Sequence, residues 1–126
     1  MTQYRWGKRS LHRLNRVHPN LIAVATLALT NFSKQDLTVL EGARTEARQL
    51  ELMQEGVTWT LKSKHLLQPD GYAHALDLAP LPIDWDNWTS FERMNEAMQQ
   101  AAMTLGIEII WGGDWKVKDG PHFELA

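Results

Sequence analysis

Among the imidazoles and carboxylates of the second half that could hold a metal ion or move a proton, His65, His74, Asp77, Asp114, Asp119, His122 and Glu124 fall near turns. The chain has no cysteine, so an ion could be bound only through imidazole nitrogen or carboxylate oxygen. Disulfides, thiolate ligands and a cysteine nucleophile are excluded together. A set of three N or O ligands that leaves a fourth position for water suits catalytic zinc, which acidifies water and polarises a carbonyl. No His-Glu-x-x-His helix motif is present, so the common helical metalloprotease arrangement gives no guide here. Spacing alone does not choose the ligands.

The elements that would carry these residues narrow the choice. A strand over Ala73 to Leu78 puts Ala75 and Asp77 on one face and His74 and Leu76 on the other, so Asp77 and His74 do not readily share an ion. A strand over His122 to Leu125 sends Phe123 and Leu125 to the core and leaves His122 with Glu124 on the polar face. His65 precedes Pro69-Asp70-Gly71, which is turn chemistry, and sits where loop backbone could aim it. Together with Asp77 and His122 it would complete a set of two imidazoles and one carboxylate.

Around these segments the apolar periodicity predicts helices. Leu11, Leu14, Val17, Leu21, Val24 and Leu27 recur at three- and four-residue steps, with Ser10 as a candidate cap and Pro19 forcing a kink or restart. Further helices are expected from about Thr45 to Gln54, ended by Gly56, and over Trp88 to Leu105, with Asn87 or Thr89 as cap, Gly106 as stop, and Phe91, Met94, Met98, Ala101 and Leu105 on one face. Short strands are expected at Leu37 to Leu40 and Ile107 to Trp111, and the last two strands are close enough to pair antiparallel. The expectation is an α+β fold in which helices pack on a small antiparallel sheet.

At 126 residues the chain suits one domain spanning 1–126. A composition 44% hydrophobic and 22% charged is that of a globular protein, and no apolar run is long enough to cross a bilayer. The net charge of -2 conceals a basic start, with Arg5, Lys8, Arg9, Arg13 and Arg16 and no acidic residue among them. That start suits a solvated helix or an anionic wall or membrane surface. The rest of the chain is net acidic and has no nucleic-acid motif, so a nucleic-acid partner is not expected. Most of the six Trp are expected in the core. Trp111 and Trp115, beside Gly112-Gly113, are the pair placed to line a substrate groove.

Three blocks resemble a known family. Ser63-Lys64-His65 followed by Ala73-His74-Ala75-Leu76-Asp77 is similar to the Ser-x-His and Gly-His-Ala-x-Asp block of VanY-type zinc peptidases. Asp119-Gly120-Pro121-His122 is similar to their closing block, and Glu41-Gly42-Ala43-Arg44-Thr45 with Gln49 is similar to their Gly-x-Arg-Thr…Gln segment. The resemblance covers roughly residues 10 to 125 and is greatest to short single-domain phage endolysins that cleave the L-alanyl-D-glutamate bond of peptidoglycan.

The resemblance implies a fold like that of the hedgehog and D,D-peptidase proteins. It also implies Zn2+ held by His65, Asp77 and His122, Asp119 as the catalytic acid/base, and Arg44 in the substrate cleft. Ser63 would bind substrate or orient the His65 loop, and His74 is expected to be structural or to support a ligand, as is Glu124. Two departures are visible: residues 66–72 enlarge the interval between His65 and Asp77, and Ala73 stands where the family has Gly. The function expected is peptidoglycan stem hydrolysis during host lysis, by a monomer held in the host cytoplasm until a separate pore releases it. A D-alanyl-D-alanine carboxypeptidase and a zinc-stabilised binding domain are the alternatives.

Overall fold

The computed structural model describes residues 4–56 and 63–126. Among the described residues, four α-helices and four strands follow one another as α1 (Lys8–Arg13), α2 (Pro19–Leu27), β1 (Leu37–Glu41), α3 (Glu46–Gln54), β2 (Ala75–Pro80), α4 (Trp88–Leu105), β3 (Ile109–Trp111) and β4 (His122–Leu125). The strands form one sheet in the order β1-β2-β4-β3, and every neighbouring pair is antiparallel. The α+β architecture is the expected one, with helices packed on a small antiparallel sheet.

Local chemistry sets most helix ends. Pro19 begins α2, where its missing N–H would have no helical partner, and the His18 ring caps that helix by accepting the Asn20 N–H at 3.0 Å. Thr45 caps α3 through the Arg48 N–H, and Asn87 caps α4 through the Ser90 N–H. Gly106 ends α4 in the left-handed conformation, φ 69°. Ser10 is not the cap of the first helix. It lies inside α1, buried, and its hydroxyl accepts the β1 N–H of Val39 at 3.0 Å. A buried strand donor without this partner would cost about 1–3 kcal/mol, which outweighs what a cap supplies.

One face of the sheet carries the core. Val39, Leu76, Leu78 and Phe123 meet Leu21, Val24 and Leu29 from the α2 region and Met94 and Met98 from α4, all essentially closed to solvent. Leu105, expected on the buried face of α4, is exposed at its last turn. Ala73 and His74 precede β2 instead of opening it; Ala73 forms an isolated parallel bridge with Val17. Because the apolar residues of β2 and β4 occupy one face, alternation delivers Asp77 and His122 to the other.

Candidate metal centre

Register brings the first two ligand candidates together. Asp77 of β2 lies directly opposite His122 of β4, and Glu41 of β1 lies opposite Asp77 on its other side. His65 enters from the preceding loop. Its backbone N–H donates to the Ser63 hydroxyl at 3.1 Å, and its carbonyl accepts the Arg44 N–H at 2.7 Å. Gly42, whose carbonyl faces His65, packs closely against the N-terminal segment, since a Cβ there would collide with the Arg13 carbonyl and lie 2.7 Å from Val17 Cγ2.

Hydrogen bonds behind the imidazoles decide which nitrogen each presents. His65 Nδ1 donates to the Gly42 carbonyl at 2.8 Å, because a carbonyl can only accept. In the neutral ring this leaves the Nε2 lone pair toward Asp77 Oδ1, 3.2 Å away. His122 Nε2 donates to the Glu124 carboxylate at 2.8 Å, leaving the Nδ1 lone pair toward the same Asp77 oxygen, also at 3.2 Å. Three electron-rich atoms thus converge, all within 4.8 Å of one another. Such a group is favourable only with a proton or a cation among them. Tetrahedral zinc bonds of 2.0–2.2 Å would set the donors about 3.4 Å apart, close to the separations found. The donor set fits a borderline transition metal, with the outer carbonyl and carboxylate holding the tautomers as supporting groups do in metal sites.

Electrostatics agree. Burial disfavours the charged form of His122, but its hydrogen bonds to Asp77 and Glu124 and the nearby negative charges outweigh this and raise its pKa to about 9. Burial likewise opposes ionisation of Asp77, yet hydrogen bonds from His122 and His65 hold it well below the usual carboxylate range. Asp119, at the turn that leads into β4, is exposed, yet partial loss of water around its carboxyl and the Asp77 charge raise its pKa. Its N–H donates to the Gly112 carbonyl at 2.9 Å, and its own carbonyl accepts the His122 N–H at 3.2 Å. These bonds tie Asp119 both to the Gly112–Asp114 turn and to the ligand strand.

Arg44 is clamped rather than free at the surface. Its guanidinium bonds Glu41 and, at 2.7 Å, Gln49 Oε1. Glu41 also lies 3.8 Å from His65 Nδ1. In the sequence Glu41 stands out only as the residue that opens the segment similar to Gly-x-Arg-Thr. Regular alternation would put Glu41 on the core face with Val39; the register shift between these two residues sets Glu41 opposite Asp77 instead, and no periodicity in the sequence announces that irregularity. Ser63 is engaged in orienting the His65 loop. His74 bonds Asp70 at 2.7 Å and does not join the cluster. Of the tryptophan pair, Trp111 is buried with its indole N–H donating to the Gly120 carbonyl, whereas Trp115 is partly exposed with its ring 4.9 Å from that of His122.

The family model for phage L-alanyl-D-glutamate peptidases matches residues 2–126. The chain belongs to this family. It is 33% identical to the L-alanyl-D-glutamate peptidase of Escherichia phage T5, over 97% of this chain and 89% of that protein. It is 31% identical to the peptidase of the same name from Listeria phage A118, over 99% of this chain but 43% of that longer protein. Among solved structures, the Serratia marcescens L-Ala D-Glu endopeptidase ChiX superposes with a TM-score of 0.85 at 40% identity, covering 97% of this chain and 90% of that one. Family members are peptidases, so a hydrolase is the identity against which the cluster is to be understood.

Proposed function

We propose that this protein is a zinc-dependent L-alanyl-D-glutamate endopeptidase of phage-endolysin type, with His65, Asp77 and His122 as the metal ligands and Asp119 as the proton carrier. The observation that carries the reading is the pair of outer hydrogen bonds, from His65 to Gly42 and from His122 to Glu124, that turns two imidazole lone pairs onto one Asp77 oxygen. Such commitment is of little use to a merely structural histidine and is what a ligand requires. Family membership supplies the substrate class.

When bound, zinc supplies Lewis acidity to the scissile carbonyl and to the attacking water. Asp119 takes the water's proton as the new C–O bond forms, then delivers it to the amine as the C–N bond breaks. Its raised proton affinity suits that exchange. Arg44, held in a fixed pose by Glu41 and Gln49, offers its remaining charge to a stem carboxylate or to the developing oxyanion. Ser63 fixes the loop that aims His65, and its proposed second role is to bind the peptide backbone. Trp115 forms an aromatic wall beside His122.

The same reading takes residues 1–126 as a single catalytic domain of hedgehog and D,D-peptidase type that acts as a monomer. It places the protein in the host cytoplasm until a separate pore admits it to the wall. No helix among the described residues is long and apolar enough to cross a membrane.

The test is mass spectrometry of fragments released from purified peptidoglycan, with chelator and with zinc restored. Stems beginning at D-glutamate, lost on chelation and recovered with zinc, are expected. Free D-alanine would assign a carboxypeptidase instead, and products indifferent to chelation would end the zinc reading. Asp119→Ala is expected to retain the ion and lose hydrolysis by at least about a hundredfold, in keeping with the role of a general base.

A further inference from the structure

A second constellation of ligand atoms lies apart from the first. His18, Asp70 and His74 come from three segments, the residue before α2, the Pro69-Asp70-Gly71 turn and the entry to β2, and their ligand atoms all lie within 4.8 Å of one another. His74 Nε2 is 2.7 Å and His18 Nε2 is 3.8 Å from the same oxygen, Asp70 Oδ2. The two rings meet edge to face with centroids 5.2 Å apart, and Tyr72 packs against the outer side of His18. Both histidine side chains are about three-quarters shielded, at 24% and 26% exposure, and the carboxylate is more open.

Main-chain bonds hold these residues in place independently of the side chains. His18 N–H donates to the Ala73 carbonyl at 2.9 Å, Ala73 N–H to the Arg16 carbonyl at 2.8 Å, and His74 N–H to the Lys64 carbonyl at 2.8 Å. Asp70 is braced by its Oδ1, which accepts the Tyr72 N–H and leaves Oδ2 to the histidines. The backbone around the cluster is therefore built before any ion arrives. We propose that His18, Asp70 and His74 form a second, surface transition-metal site that clamps the start of α2 to the loop between His65 and Asp77.

The donor types select the ion. Two imidazoles and one carboxylate suit Zn2+, Ni2+ or Cu2+, while Ca2+ and Mg2+ demand more oxygen ligands than the site offers. The contacts of 2.7 and 3.8 Å to the shared oxygen bracket the roughly 3.4 Å between donors of a tetrahedral zinc, so small side-chain rotations suffice. Water completes the coordination on the open side. Coordination also displaces a proton from Nε2 of each ring, since His74 Nε2 donates to the Asp70 carboxylate. His18 Nδ1 accepts the Asn20 N–H at 3.0 Å, which in the neutral ring places the proton on Nε2, the atom that faces Asp70. Binding through Nε2 moves that proton to Nδ1 and releases the helix cap, worth about 1 kcal/mol. Without an ion the cluster is a hydrogen-bonded latch. With one it is a tighter tie whose affinity is reduced by the lost cap.

The experiment is equilibrium dialysis of the chelator-stripped full chain against micromolar Zn2+, followed by metal analysis, in parallel with peptidoglycan hydrolysis. Wild type is expected to hold two ions per chain. His74→Ala and His18→Asn are expected to hold one and to keep hydrolysis, the second variant because Asn preserves a capping side chain. His65→Ala is expected to lose hydrolysis and keep one ion. Long-range 1H–15N spectra should show metal-dependent shifts at the His18 and His74 Nε2 atoms. One ion in both wild type and His74→Ala, or two ions in His74→Ala with no shift at these nitrogens, overturns the second site. Loss of metal from His65→Ala but not from His74→Ala would instead leave the first centre standing alone.

Discussion

At the scale of residues, the centre depends on atoms that would never touch substrate. Glu124 takes the Nε2–H of His122 and so presents Nδ1 inward. Removing this acceptor lets the ring rotate or change tautomer. Glu124→Ala is expected to weaken zinc binding about ten- to a hundredfold, measured by competition with a chromophoric chelator, with the fold intact by circular dichroism. Unchanged affinity would mean that Glu124 merely neighbours the ring. Alternation made this pair legible in the sequence, since two positions apart on a strand is one face. The Arg44–Glu41–Gln49 clamp was not legible, because Glu41 gains its place from pairing with β2 and Gln49 from a separate helix.

At the scale of elements, the tight turn Gly112–Asp114 sets how near Asp119 comes to the ligand strand. A Cβ on Gly112 would lie 2.6 Å from the Asp119 carbonyl oxygen and 3.0 Å from the Cβ atoms of Asp119 and His122. Gly112→Ala must therefore push Asp119, the proposed proton carrier, away from the strand that bears His122. Hydrolysis is expected to fall by about a hundredfold, as for a shift of roughly 1 Å in a reacting group, with zinc still bound by metal analysis. Near-normal turnover would show that the turn can yield without moving Asp119. Helix extents were legible from periodicity, above all α4 with its Asn87 cap and Gly106 stop. Ser10 was misjudged because a serine before an apolar run has the local form of a cap, and only packing of α1 on β1 reveals a strand N–H that needs its hydroxyl. The His18, Asp70 and His74 cluster was hidden for the same reason: three separate segments meet through main-chain bonds that leave no periodic trace.

At the scale of the whole molecule, the ligand cluster links stability to pH. His122 rises from 6.5 to about 9 in the folded chain, so its contribution is fully present below about pH 6.5 and is lost as pH climbs toward 9. Asp77 is depressed from 3.8, so its contribution is present above about pH 4 and is lost as pH falls further. The metal-free protein is expected to melt highest between about pH 4 and 6.5 and progressively lower toward pH 9. Thermal melts in chelator across that range check this, and zinc should flatten the alkaline decline because the ion takes the place of the proton. A metal-free melting temperature that stays level to pH 9 would contradict the coupling.

The order of the sheet has a temporal consequence. β4 is the last strand in the chain yet lies between β2 and β3, and it carries His122 opposite Asp77. During synthesis, which delivers the N-terminal segments first, the sheet lacks an inner member and the candidate centre lacks His122 until β4 leaves the ribosome. Completion of the sheet and closure of the proposed centre are thus one event, and a nascent or prematurely terminated chain without β4 has only half of the candidate site.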